Sequence, residues 1–322
     1  CSVSVSTVSR VLNGKPDVSD DVRRKVQAVI DACNYIPNDS ARVLVRTKSE
    51  AIGLVVRGVS NPFYTGIIHA IEKTVTDAGF SLVMQQIPSC GDEVQRAAVM
   101  EREKRLQGII FLGGRFDYTP EDLAMLNVPF VFCSYSNQYG TLRVGEYSAV
   151  SIADEETARQ AVDHLYEHGH RRIAALICQE DDQSISQLRY QGYRKALESH
   201  GIPVDEELVM CAGSFDIRDA YEAVREKLRQ GTEFTALFAI ADSMAIGAMR
   251  ALRDAGRRIP EDCSVIAIDG LELSAYIEPP LTTLCQPMEE MGRRSAQILL
   301  GMLRGHGVHC CEVLPTQLRE GG

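Results

Sequence analysis

From Ala51 to Ile268 the chain alternates two kinds of segment, and that alternation constrains its fold more than any other feature. Short continuous apolar runs, such as Ala51-Ile-Gly-Leu-Val-Val56, have the character of strands buried on both faces. Between them lie stretches with apolar residues at three- and four-residue spacing. In Pro62–Ala78 these are Tyr64, Ile67, Ile68, Ile71 and Val75, and Gly79 follows as a stop. Further strands are expected at Ser81–Gln86, Gly108–Leu112 and Pro129–Phe132. After Ser148–Ser151 the series restarts. Helices are expected at Glu155–His168, Ser186–His200, Ala220–Gln230 and Ser243–Ala255. Strands Arg172–Cys178, Leu208–Cys211, Ala236–Ile240 and Ser264–Ile268 alternate with them. About ten strands exceed one comfortable small sheet. The expected fold class is therefore α/β, with two doubly wound parallel-sheet subdomains and a ligand cleft at the strand C-terminal ends.

Residues 1–50 differ and contain no strand run. Val5–Leu12 and Asp20–Cys33 read as short helices, Asn13-Gly14 as a stop and Ser19 as an N-cap. Asn38–Val45 reads as a further helical stretch. A small all-α head before the α/β body follows. Charge agrees with that division. The chain carries 34 Lys and Arg against 44 Asp and Glu, a net −10, yet residues 1–50 hold eight basic and six acidic side chains. An acidic chain is a poor general polyanion binder, so any nucleic-acid contact must be local to the head.

The same composition narrows the class. With 45% hydrophobic residues in 322, extensive disorder is excluded. No apolar run approaches the ~20 residues of a membrane span. Ten cysteines occur without a CxxC motif, and adjacent Cys310-Cys311 make a poor disulfide. Reduced, mostly buried thiols in a cytoplasmic protein are expected.

The first chemical candidate is the string from Ser2 to Asn13. Val5, Val8, Val11 and Leu12 can form one apolar face of a helix, leaving Ser6, Ser9, Arg10 and Asn13 outward. Hydroxyls can bond phosphates, and an Arg can reach a guanine edge. A capped surface helix would carry much the same string.

Val3-Ser-Val-Ser-Thr-Val-Ser-Arg-Val-Leu-Asn13 closely resembles the recognition helix of the lactose/galactose-repressor family of bacterial transcription factors. The resemblance continues in Val18–Gln27, Cys33–Asn38 and Ala41–Leu44. In the body it runs through Ile52–Val56, Asn61-Pro-Phe-Tyr64, His164-Leu165, Gly169–Ala174, Met244–Gly247, Pro279–Thr283 and Leu314-Pro-Thr316. It spans the whole chain in order and implies a first helix of roughly 12–15 residues preceding residue 1. The domains implied are a helix-turn-helix head (1–37), a hinge helix and linker (38–49), and a ligand-binding and dimerisation body (50–322). The body divides into about 50–149 plus 284–309, and about 150–283 plus 310–322.

The resemblance also assigns roles. Val5, Ser6 and Arg10 would face bases in the major groove, which takes Val5 off the apolar face. Ser4, Thr7, Ser9 and Asn13 would contact phosphate or sugar. Asn38, Ala41 and Leu44 would lie on the hinge helix, with Leu44 wedging into a minor-groove step. Asp39 departs from the neutral or basic residues usual there, and Arg42 and Arg46 offset it. In the body, Phe63 or Tyr64 would wall a ligand, Arg189 would hold its oxygens, and Asp269 would accept from its hydroxyls. Arg189 and Asp269 are expected to face each other across the cleft, with the aromatic opposite. Gly270 replaces a second Asp common in the family, and Ala241 replaces an Asn that often bonds sugar.

The implied protein is a repressor of sugar-utilisation genes: dimeric, cytoplasmic, bound to a pseudo-palindromic operator and responsive to a neutral sugar. Alternatives within the family are control by a purine corepressor or by a protein partner. A sugar-binding protein without a DNA role is the alternative from another class. Enzyme readings fare badly. Gly53 and Gly113-Gly114 form neither a GxGxxG nor a P-loop, and GxSxG and HExxH are absent. His164 and His168 share a helix but His170 lies beyond Gly169, and Cys310 and Cys311 point oppositely on a strand, so neither group reads as a metal site. His170 is expected to pack or bond backbone at the strand start. No catalytic residue, cofactor or metal is assigned.

Overall fold

A computed structural model describes residues 3–12, 16–33, 50–58, 61–88, 91–143, 145–179 and 183–321. They fall into two compact units, Cys1–Ser49 and Glu50–Gly322. The first holds helices α1 (Val5–Leu12) and α2 (Asp20–Ala32), packed around buried Val11 and Val26. The Ser4 hydroxyl caps α1 by accepting from Thr7 N at 3.1 Å. Ser19 stands at the start of α2 in extended conformation, but its side chain makes no cap bond. Asp20 and Asp21 instead place negative charge at the positive end of that helix. The predicted stretch Asn38–Val45 lies outside the described residues.

The second unit begins with β1 (Ala51–Arg57), α3 (Tyr64–Asp77), β2 (Ser81–Ile87), α4 (Glu93–Lys104), β3 (Gly108–Leu112), α5 (Pro120–Leu123), β4 (Phe130–Cys133) and β5 (Ala149–Ile152). It continues through α6 (Asp154–Glu167), β6 (Ile173–Ile177), α7 (Ile185–Ser199), β7 (Val209–Cys211), α8 (Ile217–Arg229), β8 (Ala236–Ala239), α9 (Asp242–Asp254) and β9 (Ser264–Asp269). Last come β10 (Thr282–Cys285), α10 (Met288–Leu303), β11 (Cys311–Leu314) and β12 (Gln317–Arg319).

The described strands form two six-stranded sheets, ordered β11-β5-β4-β3-β1-β2 and β12-β10-β9-β8-β6-β7. All pairings are parallel except β12 on β10. Every residue of β3 and β6 is buried, as the continuous apolar runs require when helices cover both faces. The winding reverses beside β1 in one sheet and beside β6 in the other. These reversals are the places where such sheets open a crevice at their C-terminal edge.

The chain passes between the two subdomains three times. Ala153 separates β5 from α6, Gln286-Pro287 separates β10 from α10, and Pro315-Thr316 separates β11 from β12. Helix α10 returns to pack on α3. This corrects the division expected for the C-terminal residues. Residues 310–322 do not all join the second subdomain, because Cys311–Leu314 pairs in parallel with Ala149–Ile152 and only β12 returns. The cysteine expectation also needs correction. The eight described cysteines are free, but only Cys133, Cys178 and Cys263 are buried. Cys33, Cys211 and Cys311 are exposed at a helix end and on short strands, where packing covers one side at most. No described helix is long and apolar enough to cross a membrane.

Candidate functional site

The head presents one polar helix face. Ser4, Val5, Ser6, Ser9 and Arg10 are all exposed, and Val5 is 87% accessible. Thr7 is half-buried, with its hydroxyl 2.8 Å from that of Ser4. Of the apolar face proposed for α1, Val11 is buried and Val8 half-buried, while Val5 points to solvent. Arg10 Nη1 lies 3.3 Å from Asp17 Oδ2, an exposed pair. Asn13, Asn38, Ala41 and Leu44 lie outside the described residues.

In the body, Arg189 and Asp269 are brought together directly. Arg189 projects from α7 and is buried among three acceptors. Its Nε and Nη2 both reach Asp154 Oδ1 at 3.0 Å, and Nη1 donates to Ile240 O at 2.5 Å. Nη1 also lies 3.4 Å from Asp269 Oδ1. Ile240 directly follows β8, Asp269 ends β9 and Asp154 opens α6, so these groups gather at the C-terminal edge of the second sheet. The expectation that Arg189 and Asp269 oppose each other across the cleft is therefore wrong. Both belong to the second subdomain, where helix α7 lays its arginine over the strand ends.

The first subdomain contributes Tyr64. Phe63 is 3% exposed within the apolar core, its backbone N bonded to Asn61 Oδ1, and is not available as a wall. Tyr64 opens α3. Its hydroxyl lies against Gly113, where a Cβ would come within 2.7 Å of it. Gly113 directly follows β3 at the reversal of the first sheet with φ +71°, so that position needs glycine on two counts. Burial, and then the charge of Asp269, push the Tyr64 hydroxyl up to about 12, against the opposing pull of Arg189 and Arg57. Tyr64 thus stands within electrostatic reach of the Arg189–Asp269 pair.

The pair sits in an unusual balance. Burial raises Asp269 to about 7, and Asp242 adds to this, while Arg189 and Gln286 oppose it. Burial works against the Arg189 charge, but Asp154 and Asp269 outweigh it and hold the guanidinium protonated. Gln286 Nε2 donates to Asp269 Oδ1 at 2.8 Å. Asp269 Oδ2 and Gln286 Oε1 are buried without a protein partner, as are Ser136 Oγ and Gln187 Oε1. Buried acceptors without donors are costly, so Asp269 Oδ2 and Gln286 Oε1 together favour an external hydrogen-bond donor beside the pair.

Two neighbours are structural. Asp242 is fully buried and accepts from Leu271 N, Ser274 Oγ and Thr283 Oγ1, which pins the loop after β9. Gly270 has φ +78°, and a Cβ there would meet Cys285 at 2.6 Å, so an Asp would not fit this conformation. Sequence reasoning missed Asp154 and Gln286. Asp154 directly follows an apolar strand run, which was a usable signal; Gln286 carried none.

Other candidates lie apart. His170 bonds the hydroxyls of Thr235 and Ser264 at 3.0 Å each, side chains where backbone was expected. Cavities of about 450 and 260 Å³ lie beside β2 and at the N-terminal end of the second sheet, and neither is lined by Arg189 or Asp269. Among the described residues no three His, Cys, Asp or Glu are placed to hold a metal.

Residues 1–38 match the family described as bacterial regulatory proteins, lacI family, and residues 162–322 match a periplasmic binding protein-like domain. The HTH-type transcriptional regulator MalR of Clostridium butyricum is 36% identical over 320 residues, 99% of this chain and 95% of that protein. The solved complex of transcriptional regulator CelR with cellobiose matches with a TM-score of 0.76 at 32% identity, covering 99% of this chain and 95% of that one. The lac repressor dimer bound to operator and the anti-inducer ONPF matches with a TM-score of 0.79 at 30% identity, covering 99% and 94%.

Proposed function

The chain belongs to the lacI family of bacterial regulatory proteins, and we propose that it is a repressor controlled by a neutral sugar held between Tyr64 and the Arg189–Asp269 pair. It is a DNA-binding transcriptional regulator, as its relatives are. On our reading it works in the cytoplasm as a homodimer on a pseudo-palindromic operator, by binding and not by catalysis. Residues 1–37 form the head, with Val5, Ser6 and Arg10 toward bases and Ser4, Thr7, Ser9 and Asn13 toward the backbone. Residues 38–49 form the hinge, with Asn38, Ala41 and Leu44 at the minor groove.

The observation that carries the effector class is the pair of buried, unpartnered acceptors, Asp269 Oδ2 and Gln286 Oε1, beside the Arg189 donors. Sugar hydroxyls both donate and accept, so they can satisfy acceptors and guanidinium together. The Tyr64 ring offers an apolar surface to the ring face of a sugar. An anionic ligand would meet Asp154 and Asp269, which disfavours phosphorylated effectors. The cellobiose complex of the CelR relative agrees with this class.

A thermal-shift panel of mono- and disaccharides with hypoxanthine and guanine, followed by operator binding, tests the reading. A neutral sugar should raise Tm and weaken operator binding, and Asp269→Asn should abolish the response. Stabilisation by purines alone would replace a sugar with a purine corepressor.

A further inference from the structure

We propose that Asp154 is a positioning residue for the effector: it locks the Arg189 guanidinium and shares the positive charge that Asp269 would otherwise receive whole. This rests on the effector-site reading above.

The geometry carries it. Asp154 Oδ1 accepts from both Nε and Nη2 of Arg189 at 3.0 Å, which fixes the plane of the guanidinium. With that plane fixed, only Nη1 is directed at Ile240 O and Asp269. The Asp154 side chain is 5% exposed and that of Arg189 3%, so water screens this pairing little. One cation thus stands between two carboxylates. Asp154 also lies two residues beyond β5, next to the first crossing between subdomains, while Gln286 on the second crossing donates to Asp269 Oδ1, the oxygen that Arg189 Nη1 also approaches. The Arg189–Asp269 pair is thus tied to two of the three crossings between the subdomains.

Every group facing Asp269 enters the balance. Arg189 approaches from α7, Asp242 from α9, and Tyr64 from α3. Cys285 is its register partner on β10, and Gln286 follows it. Arg319 on β12 acts on Asp242, and Cys133 acts on Tyr64. Removing the charge of Asp154 changes none of these, yet frees Arg189 to pair with Asp269 alone. Asp269 should then ionise at lower pH.

The test is a titration of the effector-free protein, labelled with carbon-13 at the Asp side-chain carboxyls, with Asp269 assigned by its loss in Asp269→Asn. Asp154→Asn should lower the Asp269 midpoint by about one pH unit, and Asp154→Glu should restore much of it. An unchanged or raised midpoint in folded Asp154→Asn overturns the proposal. If that variant fails to fold, the unmodified protein serves. The Arg189 Nε–H should exchange slowly with solvent from pH 5 to 8, and exchange as fast as a free guanidinium overturns the proposal. With cellobiose as probe, Asp154→Asn should shift the pH dependence of Kd to lower pH by the same amount as the titration. Failure of every sugar to bind, with the titration shift present, rejects the effector reading and leaves the Asp154–Arg189–Asp269 linkage standing.

Discussion

Arg189 Nη1 lies 3.4 Å from Asp269 Oδ1 at the C-terminal edge of the second sheet. The arginine is not a free arm waiting for a ligand. Asp154 and Ile240 already orient it. Preorganisation of this kind lowers the ordering cost of binding.

Asp269 should govern how stability depends on pH. Its folded-state value of about 7 lies above the roughly 4 of an unfolded Asp. The folded chain therefore binds more protons across that window, and the contribution of this group falls as pH rises from about 4 to about 7. Above 7 the fold carries a buried carboxylate. Asp269→Asn should stabilise the body at pH 8 by up to about 4 kcal/mol and change little at pH 4. Calorimetry at a series of pH values checks this, and identical pH slopes in the two proteins would reject it.

Effector binding should release protons. Hydroxyls that donate to Asp269 Oδ2 select the ionised carboxylate, so affinity should rise as pH rises toward about 7 and level off above it. Titration calorimetry at pH 6 in buffers of different ionisation enthalpy measures the protons. A binding enthalpy independent of buffer contradicts the expectation.

Gly113→Ala should damage the site from the first subdomain. An alanine at φ +71° costs on the order of 1–2 kcal/mol, and its Cβ would push on the Tyr64 hydroxyl. Effector affinity should fall by about tenfold while operator binding without effector stays within twofold. Unaltered effector affinity in a folded variant would remove Tyr64 from the site.

Arg10 and Asp17 should act in opposite directions on operator binding. Arg10→Ala should cost about 1–3 kcal/mol on the specific sequence if Arg10 reads a base. An equal loss on random DNA would make it a phosphate contact. Asp17 holds Arg10 in an exposed pair, worth about 0–1 kcal/mol. Asp17→Asn should strengthen operator binding by less than tenfold, and weaker binding by this variant would show that the pair supports the bound state.

Strand and helix periodicity was readable because buried parallel strands are continuously apolar while their covering helices repeat every 3.6 residues. β1, β3 and β6 emerge from that signal almost to the residue. β11 and β12 do not, since Cys311–Leu314 and Gln317–Arg319 are short edge strands with four of their seven residues exposed. Asp269 was legible as a candidate from its place at a strand end, and Arg189 only through the family resemblance. Asp154 and Gln286 gained meaning only from the side chains they touch.

The sequence by itself determined the layered α/β architecture, the separate helical head and the residue types at the cleft, because local periodicity and motif spacing are properties of the chain. Tertiary structure decided the fates of two adjacent aromatics, sending Phe63 into the core and leaving Tyr64 half-buried within electrostatic reach of Asp269. It also decided that Arg189 and Asp269 are partners on one wall, bracketed by Asp154. Those choices depend on contacts between residues 35 and 80 positions apart, and such contacts are set by how helices settle on sheets, not by any pattern along the chain.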